Sequence, residues 1–200
     1  MNHPILLILI CFAAWGCLHS WLASLEVKAC ARRIFSKVID GFYRLIFIGI
    51  AVLTLLPILA MVIFLPSHLV WRIPTPWIYG TVAIQVLCIL GLLVTIFRTD
   101  VWAFIGFRQI RHPEVENEKP LVITGMYKVV RHPLYLLTMI LMWLFPYMTD
   151  LVLAFIIAGT AYFLIGSIPE EAKMLKHYGE TYRQYKDEVP RIIPRIKLKR

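Results

Sequence analysis

Charge is scarce in this chain of 200 residues, because only 16% of them are Asp, Glu, Lys or Arg, whereas 60% are hydrophobic. Soluble domains usually contain about 25% charged residues and about 45–50% apolar ones. The shortage of charge therefore excludes an ordinary soluble domain and predicts an integral membrane protein.

Two familiar sequence motifs are also missing. No two of the ten glycines are spaced as G-x-G, so the chain lacks the glycine fingerprint of a soluble dinucleotide-binding domain. The four cysteines form no C-x-x-C pair and no disulfide framework, and we interpret them as small apolar residues. We therefore expect neither disulfide bonds nor a metal site. The cysteines are Cys11, Cys17, Cys30 and Cys88.

Long apolar runs are abundant and predict an all-α membrane protein with about five transmembrane helices, forming a single domain over 1–200. A helix needs about 20 residues to cross the hydrocarbon. The last two runs are shorter than this and only Thr149 and Asp150 separate them, so a tight helical hairpin is expected there. The first run has neither the basic leader nor the cleavage site of a signal peptide, so we interpret it as a mature helix. The predicted spans are 4–25, 42–65, 76–97, 134–148 and 151–168.

The basic residues predict the orientation of these spans. All of the 21 Lys and Arg residues except Arg72 lie in the segments 26–44, 98–133 and 169–200. The positive-inside rule then places the N-terminus outside and the C-terminus in the cytoplasm. The net charge of +9 comes with no nucleic-acid-binding signature, so we expect membrane lipids rather than nucleic acid as partners.

An Arg-His-Pro triplet occurs twice, at 111–113 in a polar linker and at 131–133 before an apolar run. In "GMYKVVRHPLYL", residues 125–136, Gly125 is expected at a turn. Pro133 is expected at the first position of a helix, where its missing N–H is tolerated. The free N–H groups of that helix start would suit an anionic group such as a carboxylate. The second triplet is therefore the candidate site.

A pair of glutamates, Glu170 and Glu171, follows the last apolar run. Adjacent side chains on a helix point about 100° apart, so at most one of the two is expected to face a pocket. The alternative is a charged helix start balanced by Lys173 and Lys176. The predicted topology places this tail and the 98–133 linker on the same cytoplasmic face, so one site can include both.

Taken together, Leu-Val-x-x-Gly-x-Tyr, Arg-His-Pro-x-Tyr before a span, the Glu-Glu pair and "YGETYRQYKDEVPRIIP" resemble the isoprenylcysteine carboxyl methyltransferase and phospholipid methyltransferase superfamily. The similarity covers about residues 119–195. Its members are integral-membrane enzymes that use S-adenosylmethionine. The resemblance implies a cytoplasmic site for this cofactor, formed by the linker before the fourth span and the C-terminal tail. The implied cofactor contacts are Lys119, Pro120, Leu121, Val122, Tyr127, His132, Pro133, Leu134, Tyr135 and Glu170, with Glu171 as a further candidate.

Two residues are candidates for catalysis. Arg131 would favour the thiolate form of a thiol acceptor, because nearby positive charge lowers a thiol pKa. His19, near the cytoplasmic end of the first span, is a candidate general base or substrate contact, with a helix-packing hydrogen bond as the alternative. Asp100, close to Arg98, is either a functional contact or part of an interfacial ion pair.

The acceptor is inferred from differences within the superfamily. Prenylcysteine methyltransferases have an arginine four residues before the first glutamate, where it meets the substrate carboxylate, but this chain has Gly166. "CLHSWLASLEVK" and "FRTDVWAFIGFRQIR" resemble the NnrU-like and methanethiol S-methyltransferase branch. This implies a small thiol or an apolar, lipid-like methyl acceptor in a bacterial inner membrane. The alternatives are an isoprenylcysteine carboxyl O-methyltransferase, a non-catalytic NnrU-like haem or assembly protein and, third, a transporter.

Overall fold

The computed structural model describes residues 3–36, 38–99, 101–105, 107, 110 and 120–195. Lys119, Asp100 and the first triplet at 111–113 lie outside these ranges. Two short strands, β1 (Leu69–Arg72) and β2 (Tyr147–Thr149), accompany the helices. The helices are α1 (His3–Leu22), α2 (Leu25–Phe35), α3 (Val38–Phe64), α4 (Trp77–Arg98), α5 (Val101–Ile105), α6 (Pro133–Trp143), α7 (Asp150–Tyr178) and α8 (Glu180–Glu188).

The predicted fold class, an all-α integral membrane protein, is confirmed. Four of the helices in the described ranges are long and apolar enough to cross a membrane, namely α1, Gly41–Phe64 within α3, α4 and α7. These four helices begin within one residue of four predicted spans, but α7 ends ten residues beyond the predicted end at 168. At 29 residues, α7 measures about 43 Å, so its last turns extend beyond a hydrocarbon layer of about 30 Å.

The predicted hairpin around Thr149 and Asp150 is wrong in its details. Helix α6 ends at Trp143, five residues before the predicted end of the fourth span, and has only 11 residues. Tyr147–Thr149 forms β2, which pairs antiparallel with β1. The physical reason is Pro146, which cannot donate a helical hydrogen bond and disfavours helical backbone at the residue before it. The backbone groups that follow are satisfied by a strand instead.

The described residues form two compact units. The first unit consists of the described residues within 3–72, 101–110 and 147–159, and in it α1 packs against α3. The indole N–H of Trp15 donates to the carbonyl of Ala51 at 3.0 Å, and the Tyr43 hydroxyl donates to the carbonyl of Leu22 at 2.6 Å. Such bonds connect helices where lipid offers no hydrogen-bonding partner.

The second unit consists of 73–99, 120–146 and 160–195, and in it α4 packs against α6. A Cβ atom at Gly91 would lie 3.1 Å from a methyl group of Leu137, so the absence of a side chain allows the close approach. Gln85 donates to the carbonyl of Leu141 at 3.2 Å. This unit contains the second Arg-His-Pro triplet and the glutamate pair. The prediction of a single domain over 1–200 stays a prediction.

Candidate functional site

A tight turn leads into the start of α6. Gly125 has a φ of 62° and opens a 3₁₀ turn, Gly125–Lys128, as expected from the sequence. The Arg98 side chain lies 3.3 Å from where a Cβ of Gly125 would be, so both the backbone conformation and the space favour glycine. Helix α6 begins at Pro133 with His132 as its N-cap, which confirms the predicted helix start. The His132 side chain does not cap the first helical N–H groups.

The C-terminal segment 180–192 binds this turn through backbone groups. The N–H of Arg131 donates to the carbonyl of Pro190 at 2.9 Å, and the N–H of His132 donates to the carbonyl of Arg191 at 3.0 Å. The Tyr185 hydroxyl donates to the carbonyl of Tyr127 at 2.7 Å. Burial raises the pKa of Tyr185 above its ordinary value, so the phenol keeps the proton that it donates.

A small apolar cluster underlies these bonds. Tyr182, Tyr185 and Val189 are buried and form its centre. Successive turns of a helix bring residues three and four positions apart to the same face. Helix α8 therefore presents Tyr182 and Tyr185 on one face, and its remaining positions are exposed. The partly buried residues packed against the cluster are Leu121, Leu175 and Tyr178.

Arg131 lies at the centre of the polar contacts. Its Nε and Nη2 atoms both lie 2.7 Å from Oε1 of Glu171. Its Nη1 atom donates to the carbonyl of Lys186 at 2.9 Å and to the carbonyl of Val189. The side chain is only 7% exposed, so its guanidinium is directed mainly at protein groups.

His132 lies between the two glutamates. Its Nε2 atom is 3.3 Å from Oε1 of Glu171, and its Nδ1 atom is 3.6 Å from Oε2 of Glu170. Burial lowers the pKa of His132, although both carboxylates oppose the shift. The imidazole is therefore mainly neutral near pH 7, and a neutral ring that donates from Nε2 to Glu171 has its lone pair on Nδ1, towards Glu170.

Glu170 and Tyr135 form the more open part of the site. The Tyr135 hydroxyl donates to Oε1 of Glu170, whose side chain is 48% exposed, compared with 9% for Glu171. The Tyr135 ring stacks on Phe163 at 4.7 Å and on His132 at 5.3 Å between ring centroids. Burial and then the Glu170 charge raise the pKa of Tyr127. The arrangement combines a half-exposed carboxylate with aromatic faces, which suits a ligand that carries both cationic and planar groups.

The other predicted cofactor contacts differ from one another in burial. Leu121 packs on the apolar cluster, Pro133 is fully buried and Pro120 is exposed. Val122 and Leu134 are partly buried. The direct roles predicted for these residues and for Arg131 stay predictions.

His19 lies in the first unit, on α1. Its ring stacks on Trp15 at 5.1 Å and lies 4.6 Å from the Phe47 ring. An apolar, aromatic environment is equally suited to a packing role and to a neutral base, so its catalytic role stays a prediction.

Sequence reasoning missed Phe163, Tyr182 and Tyr185 as parts of this region. Tyr182 and Tyr185 recur with helical spacing in "YGETYRQY", a signal that equally fits an aromatic belt at a membrane surface. The role of Phe163 has no sequence signal, because it depends on which face of α7 meets α6. Within the described ranges, no group of three or more His, Cys, Asp and Glu side chains is arranged to hold a metal ion.

Fold and site together define an all-α integral membrane protein with a polar site at the start of the short apolar helix α6. This site, called the junction below, contains Arg131, His132, Tyr135, Glu170 and Glu171. The chain belongs to the family described as "Protein of unknown function (DUF1295)", whose sequence profile matches residues 5–189. The matched range includes Arg131, His132, Glu170 and Glu171.

Relatives with curated names are similar to the chain over much of its length. It is 35% identical over 145 residues to methanethiol S-methyltransferase 2 of Bradyrhizobium diazoefficiens, which covers 65% of this chain and 54% of the relative. It is 34% identical over 132 residues to methanethiol S-methyltransferase of a Pseudomonas species, covering 63% and 50%. A Crocosphaera subtropica protein of the same name is 28% identical over 188 residues, covering 89% and 70%. The chain spans about half the length of the first two relatives. No solved structure shows a significant match.

Proposed function

We propose that this protein is an integral-membrane methyltransferase that uses S-adenosylmethionine to methylate a small thiol. The observation that carries the proposal is the meeting of Glu170, Tyr135 and His132 beside the start of α6. The names of the relatives support methanethiol as the class of acceptor. A lipid-like apolar acceptor is the alternative within the same reaction class.

The residues present fit the proposed cofactor in chemical type. Glu170 would accept hydrogen bonds from the α-amine or the ribose hydroxyls. The N–H groups at the start of α6, which the His132 side chain leaves uncapped, would suit the α-carboxylate. The aromatic face of Tyr135 would lie against the adenine or the sulfonium. When bound, S-adenosylmethionine supplies an electrophilic methyl group.

The protein's task in this reaction is mainly to align the reactants and exclude water. Positioning alone can lower a barrier by about 7–11 kcal/mol, so the transfer does not require an elaborate acid–base triad. A thiol acceptor must still lose its proton. His132 is a suitable acceptor for that proton, because burial lowers its pKa and thereby keeps the imidazole unprotonated.

Cofactor binding is the first test. Purified protein should bind S-adenosylhomocysteine with an affinity of about −7 to −8 kcal/mol, which corresponds to micromolar binding by calorimetry. Glu170→Gln should weaken binding by about 1.5–3 kcal/mol if the carboxylate makes a charged hydrogen bond. Glu180→Gln, an exposed change on α8, is the matched control and should leave affinity unchanged. No heat at millimolar ligand would contradict the proposal.

The acceptor requires a separate assay. Radiolabelled methyl groups should appear on methanethiol more readily than on N-acetyl-farnesylcysteine. Methylation of the farnesylcysteine alone would instead support the carboxyl O-methyltransferase alternative. A Soret absorbance band in the purified protein, with no methyl transfer, would support the haem alternative.

The proposed location is a bacterial inner membrane, with the N-terminus outside and the C-terminus in the cytoplasm. The distribution of Lys and Arg supports this orientation. It places the junction where a water-soluble cofactor can reach it. A reporter that functions only in the cytoplasm should therefore be active when it is fused to the C-terminus.

A further inference from the structure

Three segments of the second unit meet at the guanidinium of Arg131. The residue itself belongs to the turn before α6, Glu171 belongs to α7, and the carbonyls of Lys186 and Val189 belong to the C-terminal segment. These partners are 40, 55 and 58 residues away along the chain. One side chain therefore connects parts of the chain that no local structure would bring together.

The direction of these contacts matches the charge of each partner. The last carbonyls of a helix have no intrahelical donor and carry the negative end of the helix dipole. Nη1 of Arg131 fills this need at the end of α8, while Nε and Nη2 face the Glu171 carboxylate. Planar, multidirectional donation of this kind is a property of arginine that lysine lacks.

The same pair also controls the position of His132. Oε1 of Glu171, which accepts from Arg131, lies 3.3 Å from Nε2 of His132. The His132 backbone is held at the same time by the carbonyl of Arg191 in the C-terminal segment. Nδ1 of His132 is directed towards Glu170. The arrangement of His132 beside Glu170 therefore depends on the buried contacts of Arg131 and Glu171.

We infer that Arg131 is a positioning residue, which holds Glu171, His132 and the C-terminal segment 180–192 in place and thereby maintains cofactor affinity without touching the cofactor. This differs from the direct catalytic role predicted from the sequence. The cofactor part of the inference rests on the proposed function, whereas the part about the C-terminal segment does not.

Hydrogen–deuterium exchange on the 200-residue chain in detergent tests the structural part of the inference. Arg131→Ala should increase exchange of the amides in 180–192 by about tenfold or more relative to wild type. Arg183→Ala is the matched control, because Arg183 pairs with Glu180 on the exposed face of α8, and exchange should stay as in wild type. Arg131→Lys keeps the charge opposite Glu171 but cannot reach all partners, so an intermediate increase is expected. It also replaces Arg131→Ala should that variant fail to fold.

Kinetics of methyl transfer to methanethiol test the functional part. Arg131→Ala should raise the KM for S-adenosylmethionine by about tenfold or more and should also lower kcat, because Arg131 holds the His132 that is proposed to accept the thiol proton. Arg131→Lys should recover part of the affinity, and Arg183→Ala should match wild type.

Three results would overturn the inference. The first is unchanged exchange in 180–192. The second is increased exchange with an unchanged KM and a rate reduced only in proportion to the folded fraction, which would indicate a purely structural role. The third is a lower kcat with unchanged KM, which would indicate direct participation. Failure of the wild type to bind cofactor would refute the proposed function and the cofactor part together, and the exchange data would still decide whether Arg131 holds the segment.

Discussion

His132 and His19 show how differently the two units use the same side chain. His132 lies 3.3 Å from one carboxylate and 3.6 Å from another, at the N-cap of α6. His19 lies within a membrane-spanning helix, in contact with the rings of Trp15 and Phe47. The first histidine belongs to a polar network, and the second belongs to an aromatic cluster.

This difference shows that, in a membrane protein, the neighbours of an ionisable residue indicate a functional site better than the residue type does. An ionisable group within a span is by default a candidate for function, and this reasoning applies equally to both histidines. The tertiary contacts distinguish them, because His132 lies beside two carboxylates and a helix start, whereas His19 stacks on aromatic rings.

Replacing His132 should have the largest effect on activity. His132→Ala should reduce methyl transfer by about 10²–10⁴-fold if the imidazole accepts the thiol proton. The control is His112→Ala, in the other Arg-His-Pro triplet, which should retain most of the activity. Equal losses in the two variants, measured with radiolabelled cofactor, would contradict a specific role of His132 in methyl transfer.

Neutralising Glu171 should have the largest effect on stability. Glu171→Gln leaves the Arg131 guanidinium buried without its charge partner, a situation that costs about 3–5 kcal/mol. Glu180→Gln breaks an exposed ion pair with Arg183 and should cost at most about 1 kcal/mol. Chemical denaturation in detergent measures both. A similar cost for the two variants would show that the junction is not energetically distinct from the surface.

The pH dependence of stability should show a smaller effect that is specific to His132. Burial lowers the folded-state pKa of His132 from 6.5, against the opposing effects of Glu170 and Glu171. The unfolded chain therefore binds this proton at a higher pH than the folded chain. The contribution of His132 to stability is complete above about pH 6.5 and is lost as the pH falls through the folded-state pKa.

Thermal melting between pH 7.5 and pH 5.5 tests this sign. Wild type should lose more stability over this range than His132→Gln, because the substitution removes the titrating group while Arg131, Glu170, Glu171 and Tyr135 remain. A wild type that becomes more stable than the variant as the pH falls would mean that the carboxylates outweigh burial.

Replacing His19 should have the smallest effect. His19→Phe keeps an aromatic ring between Trp15 and Phe47, and volume-conserving substitutions in a core usually cost less than about 1.5 kcal/mol. Most of the methyl transfer activity should remain if His19 serves packing. A well-folded His19→Phe protein that has lost activity would instead support the general-base hypothesis and make the two histidines functionally alike.

The sequence by itself determined the class of protein and the local geometry of the junction. Scarce charge and long apolar runs predict membrane helices because lipid cannot solvate unpaired backbone or charged groups. Gly125 predicts a turn and Pro133 predicts a helix start because their backbones have unusual conformational limits. Adjacent Glu170 and Glu171 cannot both face one side of a helix, and the structure places one of them in the open part of the site and buries the other.

The tertiary structure alone decided how the junction is assembled. Arg131 finds Glu171 forty residues away, and its other partners are backbone carbonyls of Lys186 and Val189. Every residue has a carbonyl group, so no side-chain pattern marks these two as acceptors. Likewise, Pro146 disfavours a helix locally, but Tyr147–Thr149 forms a strand because β1 supplies its partner. Long-range pairing depends on which faces the packed helices bring together, and this is information that a local pattern does not contain.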